Sequence, residues 1–127
     1  KSQVFAAPFA VYPKKNDNKT YVEPDINVIC DPNKVDERGC HGMPDWVIEI
    51  VSLSSQYMDY MRKLGLYEES GAREYWIIDP DAENVIVYGL EQEAVPSIFS
   101  FDEEVPVNIS GGKCSIDFRE VRRFAGL

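Results

Sequence analysis

Pro44-Asp45-Trp46-Val47-Ile48-Glu49-Ile50-Val51-Ser52, written PDWVIEIVS, is a run of apolar residues with one carboxylate, Glu49, set into it. The apolar side chains predict a buried strand. An ionised glutamate in such a strand is costly unless an ion pair, a raised pKa or a metal compensates it. Whatever compensates Glu49 must come from elsewhere in the chain.

Downstream, Tyr57, Tyr60, Met61, Leu64 and Tyr67 fall within about 120° of arc at about 100° per residue, which predicts an amphipathic helix over positions 56–70. Ser54 or Ser55 is expected to cap its start, and Gly71 suits a left-handed residue just past its end. Strands follow at Glu74–Asp79 (EYWIID) and Asn84–Gly89 (NVIVYG). Upstream, positions 4–12 read as an edge strand carrying Pro8, 14–19 (KKNDNK) as a turn, 21–30 (YVEPDINVIC) as a second strand, and 31–42 as a loop. The stretch with Pro96, Pro106 and Gly111-Gly112 is less regular, apart from a short helix from Asp117 to Arg123. This order predicts an α/β (α+β) fold, a mixed β-sheet with a helix packed on one face.

The chain has 127 residues, 44% of them hydrophobic, enough for one core and a single domain over positions 1–127. It contains no apolar run of about 18 residues, and its start, KSQVFAAPFAVYP, lacks the pattern of a secretory leader. The expectation is a soluble, cytoplasmic protein that meets no membrane. Cys30, Cys40 and Cys114 match no zinc-ligand spacing, and the single histidine, His41, stands beside Cys40, so reduced thiols are expected rather than a metal site. A net charge of −9 opposes broad adhesion to nucleic acid, although carboxylates gathered around a metal would inflate the acidic count.

If the strands on either side of the 31–42 loop form a hairpin, Asp25 and Glu49 converge at one end of the sheet. Two hard oxygen ligands there suit magnesium, which retains waters and takes substrate phosphate oxygens. The alternative is that Asp25 caps a turn and Glu49 pairs with an arginine. On the helical wheel Lys63 borders the apolar arc while Arg62 points to solvent. Lys63 can therefore deliver its ammonium to the carboxylates, or else form an i,i+4 surface pair with Asp59. Asp45 is expected to terminate the loop and Asp79 to end a strand in a turn.

The runs EPDINVICD, RGCHGMPDWVIEIVS and DYMRKLGLYEESGAREYWIIDPDAENVIVYGL, in unbroken order, resemble the Uma-two family, described as putative restriction endonucleases, within the PD-(D/E)xK nuclease superfamily. The resemblance spans roughly positions 5 to 90. It implies a restriction-endonuclease-like fold and a metal-dependent endonuclease that hydrolyses DNA phosphodiester bonds, with Asp25 and Glu49 holding magnesium, or manganese, and Asp25, Glu49 and Lys63 as the catalytic set. The superfamily's lysine usually stands two positions after the acid, where this chain has Val51, so the matching lysine is the displaced Lys63. Glu23 becomes a candidate outer-shell partner on this reading, and Glu49 is tolerated because a metal cation compensates it. Ser52-Leu53-Ser54 stands where family members commonly read SPS. Relatives also usually carry an N-terminal helix ahead of the first strand, so the expectation is an N-terminally truncated domain whose uncovered sheet face favours a homodimer. The rival expectation is a catalytically silent nuclease-like domain used for interaction or DNA binding, and a purely structural oligomerisation domain is a third.

Overall fold

The structure, a computed structural model, describes residues 2–91 and 95–125. Its centre is a six-stranded mixed sheet of β1 (Gln3–Ala6), β3 (Ile26–Ile29), β6 (Trp46–Ile50), β7 (Glu74–Asp79), β8 (Asn84–Gly89) and β9 (Ser97–Ser100), in that spatial order. All neighbours are antiparallel except β6 and β7, which run parallel. Parallel neighbours need a crossover of a dozen or more residues, and helix α1 (Leu53–Ser70) supplies it. The central strands, the crossover helix and the mixed sheet agree with the sequence reading.

Alternation along β6 explains why PDWVIEIVS reads as continuously apolar. Val47 joins Tyr60, Tyr67, Tyr75 and Ile77 in a core beneath α1, while Trp46 and Ile48 join Trp76, Val85 and Val87 in a second core on the opposite face. The expectation of an uncovered face is corrected here. The opposite face carries a hairpin of β10 (Glu104–Pro106) and β11 (Ser115–Asp117) and then α2 (Phe118–Ala125), which bury Val105, Val107 and Phe118 against it. Proline and glycine hid this hairpin, because short strands between breakers leave no periodic signal. Buried Glu74 ties the two layers together: its carboxylate accepts from Trp76 Nε1 at 2.6 Å and from the backbone N–H groups of Asn108 at 3.2 Å and Ile109 at 3.0 Å.

Three boundaries in the N-terminal third differ from the sequence reading. The predicted strand over 4–12 splits at Pro8, which has no N–H to give a ladder: β1 pairs with β3, whereas β2 (Val11–Tyr12) leaves for a small second sheet. The predicted strand over 21–30 shortens to β3, its start broken by Pro24. The 31–42 loop is partly ordered as β4 (Val35–Asp36) and β5 (Gly39–His41), which complete that second sheet in the order β2-β5-β4. Gly39 makes the contact possible, since it has φ +135° and a Cβ there would lie 2.1 Å from the Ala10 carbonyl oxygen.

Helix α1 starts earlier than predicted, with Ser52 in the N-cap position and extended backbone. Neither Ser54 nor Ser55 caps it. The Ser52 hydroxyl donates to Asp81 at 2.6 Å, and Asp79 Oδ2 accepts the Leu53 N–H at 3.3 Å in place of a serine cap. Gly71 ends the helix in the left-handed conformation, as expected. Its buried face is narrower than the predicted arc: Tyr60 and Tyr67 are buried, whereas Tyr57 and Met61 are exposed. Among the described residues, no helix is long and apolar enough to cross a membrane.

Asp45 does more than end its loop. Its carboxylate accepts the Cys30 N–H at 3.0 Å and faces the Arg73 guanidinium at 3.3 Å. Burial works against the charge, but the Cys30 N–H and Arg73 outweigh it and hold the carboxyl below its usual range. An acid with a lowered folded pKa stabilises the fold above its unfolded pKa and loses that contribution as pH falls through the folded value. Asp45→Asn is therefore expected to cost about 1–3 kcal/mol at neutral pH, with the difference from wild type shrinking as pH falls below about 4. Urea unfolding across that pH range checks it, and a pH-independent difference would mean that the charge plays no part.

Candidate active site

The β3–β6 register, Ile26 opposite Ile48, sets the geometry. Continued one residue beyond the start of β3, this register sets Asp25 against Glu49, and directly opposed side chains share a face. That face is the one covered by α1. Asp25 Oδ2 accepts the Ile50 N–H at 2.7 Å, which holds the carboxylate over the end of β6. Glu49 is only 3% exposed, one step along the strand from half-exposed Ile50.

Helix α1 brings the remaining groups. Lys63 Nζ donates to Glu49 Oε1 at 3.1 Å and also lies 3.3 Å from Asp59 Oδ2. Tyr67, one turn further on and fully buried, donates its hydroxyl to Glu49 Oε2 at 2.9 Å. Arg62 pairs with Asp59 at 2.6 Å on the exposed side, as the helical wheel requires. The two readings of Lys63, core-edge donor and partner of Asp59, are thus both realised by one side chain. The spacing that carries it is i,i+4 on each side: Asp59, Lys63 and Tyr67 occupy one stripe.

The arginine weighed as a partner for Glu49 is corrected by the structure. Among the described residues no arginine reaches it, and an ammonium and a phenol each engage one of its oxygens. Sequence reasoning counted Tyr67 only as an apolar stripe residue. Its place four residues after Lys63 was the signal that it could reach the same acid. Glu23 is also corrected: it is exposed and outside any strand, and among the described residues no hydrogen bond or ion pair involves its side chain.

The two partners respond differently to their setting. Burial pushes the Glu49 carboxyl up despite the pull of Lys63 and Tyr67, and the Asp25 charge pushes it further. Burial alone would lower the Lys63 ammonium, but Glu49 and Asp59 together raise it. The asymmetry follows from exposure, since the Lys63 side chain retains 22% of its accessible surface and that of Glu49 only 4%. The hydroxyls of Tyr67 and Tyr75 are pushed up by burial and by the Glu49 charge, so both remain protonated donors.

Among the described residues, no three His, Cys, Asp or Glu side chains gather as a ready metal site. Asp25 and Glu49 are the carboxylates set opposite each other where β3 and β6 meet. This donor set fits magnesium, which binds through one or two carboxylates and keeps several waters, and does not fit a closed zinc site.

A family model described as "putative restriction endonuclease", Uma2, matches residues 1–112. The fold is similar to the crystal structure of a putative nuclease from Anabaena variabilis, with a TM-score of 0.69 and 23% sequence identity over 94% of this chain and 67% of that one. No curated protein matches the chain. At that identity the structural likeness establishes the fold, while the family match covers most of the sequence and includes Asp25, Glu49, Lys63 and Tyr67. The chain belongs to the Uma2 family of putative restriction endonucleases.

Proposed function

We propose that this chain is a metal-dependent endonuclease that hydrolyses phosphodiester bonds in DNA, with Asp25 and Glu49 as ligands of magnesium or manganese and Lys63 as the third catalytic group. One observation carries the reading: Glu49 on β6 has a lysine ammonium 3.1 Å away, and Asp25, just before β3, is bound through its carboxylate to the next residue of β6. Bound by the two carboxylates, the metal would polarise a phosphate oxygen and lower the pKa of a water. Every other role falls to the chain itself. Tyr67 fixes the orientation of Glu49, and the Ile50 N–H fixes that of Asp25. Lys63, steadied by Asp59, presents a positive charge where negative charge develops on the phosphate in the transition state.

A second reading, the catalytically silent nuclease-like module, is favoured by the way Lys63 and Tyr67 already satisfy Glu49. Two measurements separate them. Calorimetric titration with magnesium and with manganese is expected to show binding that requires Asp25 and Glu49, and DNA is expected to be cut only when either metal is present. No heat and no cleavage with both metals would leave the silent module standing.

A further inference from the structure

A charge of −9 opposes a polyanionic substrate unless the cations are unevenly placed. Every arginine from Arg62 to Arg123, and Lys63, is engaged with a carboxylate. Among the described residues, the lysines and arginines outside such pairs are Lys14, Lys15, Lys19, Lys34, Arg38 and Lys113. All but Lys113 come from one segment, positions 14–38, around the small second sheet.

Three of them, Lys14, Lys15 and Lys34, line one cavity of about 570 Å³ together with His41. Lys14 and Lys15 are exposed on the turn after β2, while Lys34 donates to the Met43 carbonyl at 3.0 Å and is thereby held at the cavity wall. The far wall is the C-terminal end of α1, from Glu69 to Gly71. Glu69 and the carbonyl pole of the helix oppose an anion, but one carboxylate faces three ammonium groups, and His41 is engaged with Asp36 at 2.9 Å. At about 30 Å³ per water the space far exceeds a single small ion and suits a phosphate with its flanking sugars.

We propose that this cavity seats a backbone phosphate of a bound nucleic-acid strand on Lys14, Lys15 and Lys34, anchoring the strand beside the Asp25–Glu49 site. The inference rests on the nucleic-acid reading above. Ser70 lies seven residues beyond Lys63, roughly 10 Å along the axis at about 1.5 Å per residue. A duplex advances about 3.4 Å per nucleotide, so the anchored phosphate is about three nucleotides from the one facing Lys63. The anchor also gives an acidic chain a local contact for a polyanion, because three cations outside ion pairs line this one cavity.

The test is anisotropy titration of a labelled DNA duplex, in chelator to prevent cleavage and over a series of salt concentrations. The double variant Lys14→Ala/Lys15→Ala, which removes no side-chain bond found in the described structure, is expected to bind about tenfold more weakly at low salt, with the slope of log affinity against log salt shallower by about 1–2. Glu69→Gln is expected to bind more tightly than wild type, and Lys113→Ala to bind like wild type. Unchanged affinity in the double variant, an equal loss in Lys113→Ala, or no duplex binding by wild type overturns the anchor. Competition by inorganic phosphate with the same lysine dependence and comparable affinity would assign the cavity to a free anion instead. Cleavage by wild type with lysine-independent binding would sink the anchor and leave the nuclease reading standing. Lysine-dependent binding by a wild type that never cleaves would support the anchor and sink the nuclease.

Discussion

Lys63→Ala is expected to lower DNA cleavage by about 100-fold or more, the usual loss when a positioned charge-stabilising or proton-transfer group is removed. The structure adds a second consequence that helical geometry alone did not suggest. With Lys63 gone, Glu49, which is 3% exposed in the wild-type structure, keeps only the Tyr67 hydroxyl as partner. Removing one member of a buried ion pair typically costs about 3–5 kcal/mol, and the lower end applies here because Lys63 keeps some solvent and Glu49 can take up a proton. The loss should appear as a lower urea midpoint in chelator. Lys63→Arg restores a cation beside Glu49, so it is expected to recover most of the stability while recovering less of the activity, which separates the structural role from the chemical one. Wild-type stability in Lys63→Ala would show that the ion pair contributes nothing. Wild-type cleavage in that variant would remove Lys63 from the mechanism.

Glu49→Gln is expected to abolish divalent-ion binding and cleavage while costing the fold only about 1 kcal/mol. The amide is nearly isosteric and its carbonyl oxygen can accept from Tyr67 or Lys63, while Lys63 retains Asp59 at 3.3 Å. The substitution also removes a desolvated charge that repels Asp25. Calorimetry with manganese and a thermal melt in chelator read the two effects separately. Full metal binding by Glu49→Gln would exclude Glu49 as a ligand. A loss of stability as large as that of Lys63→Ala would mean that the acid serves the fold first.

The two substitutions differ because the pair is asymmetric. Glu49 is enclosed by β6, α1 and the tyrosines, so removing its partner strands a charge. Lys63 sits at the helix edge with a second carboxylate, so removing Glu49 strands nothing. A side chain's vulnerability follows from how many compensating groups remain within reach.

Much of this arrangement can be read without coordinates, and the limits are physical. The apolar run Trp46–Ile50, the stripe through Tyr60, Leu64 and Tyr67, and the strand Glu74–Asp79 are local patterns that report burial through side-chain periodicity. They place Glu49 on a central strand and Lys63 at the helix edge. Asp25 follows from the antiparallel pairing on either side of the 31–42 segment, and the structure puts it on the same face as Glu49.

The apolar strands, the crossover helix and the positions of Glu49 and Lys63 on them are thus legible in the chain, because each depends on neighbours within a few turns or one strand. Long-range packing sets which of the alternative partners reach Glu49, what covers the second face, and where the lysines outside ion pairs gather. Tyr67 meets Glu49 across 18 positions, Glu74 meets Asn108 across 34, and Lys34 faces the end of α1 only after β2, β4 and β5 have paired. Such contacts join segments that each carry an ordinary local signal, and the chain order does not encode their meeting. Only closing the sheet and packing α1 on it brings an ammonium and a phenol to the Glu49 carboxylate.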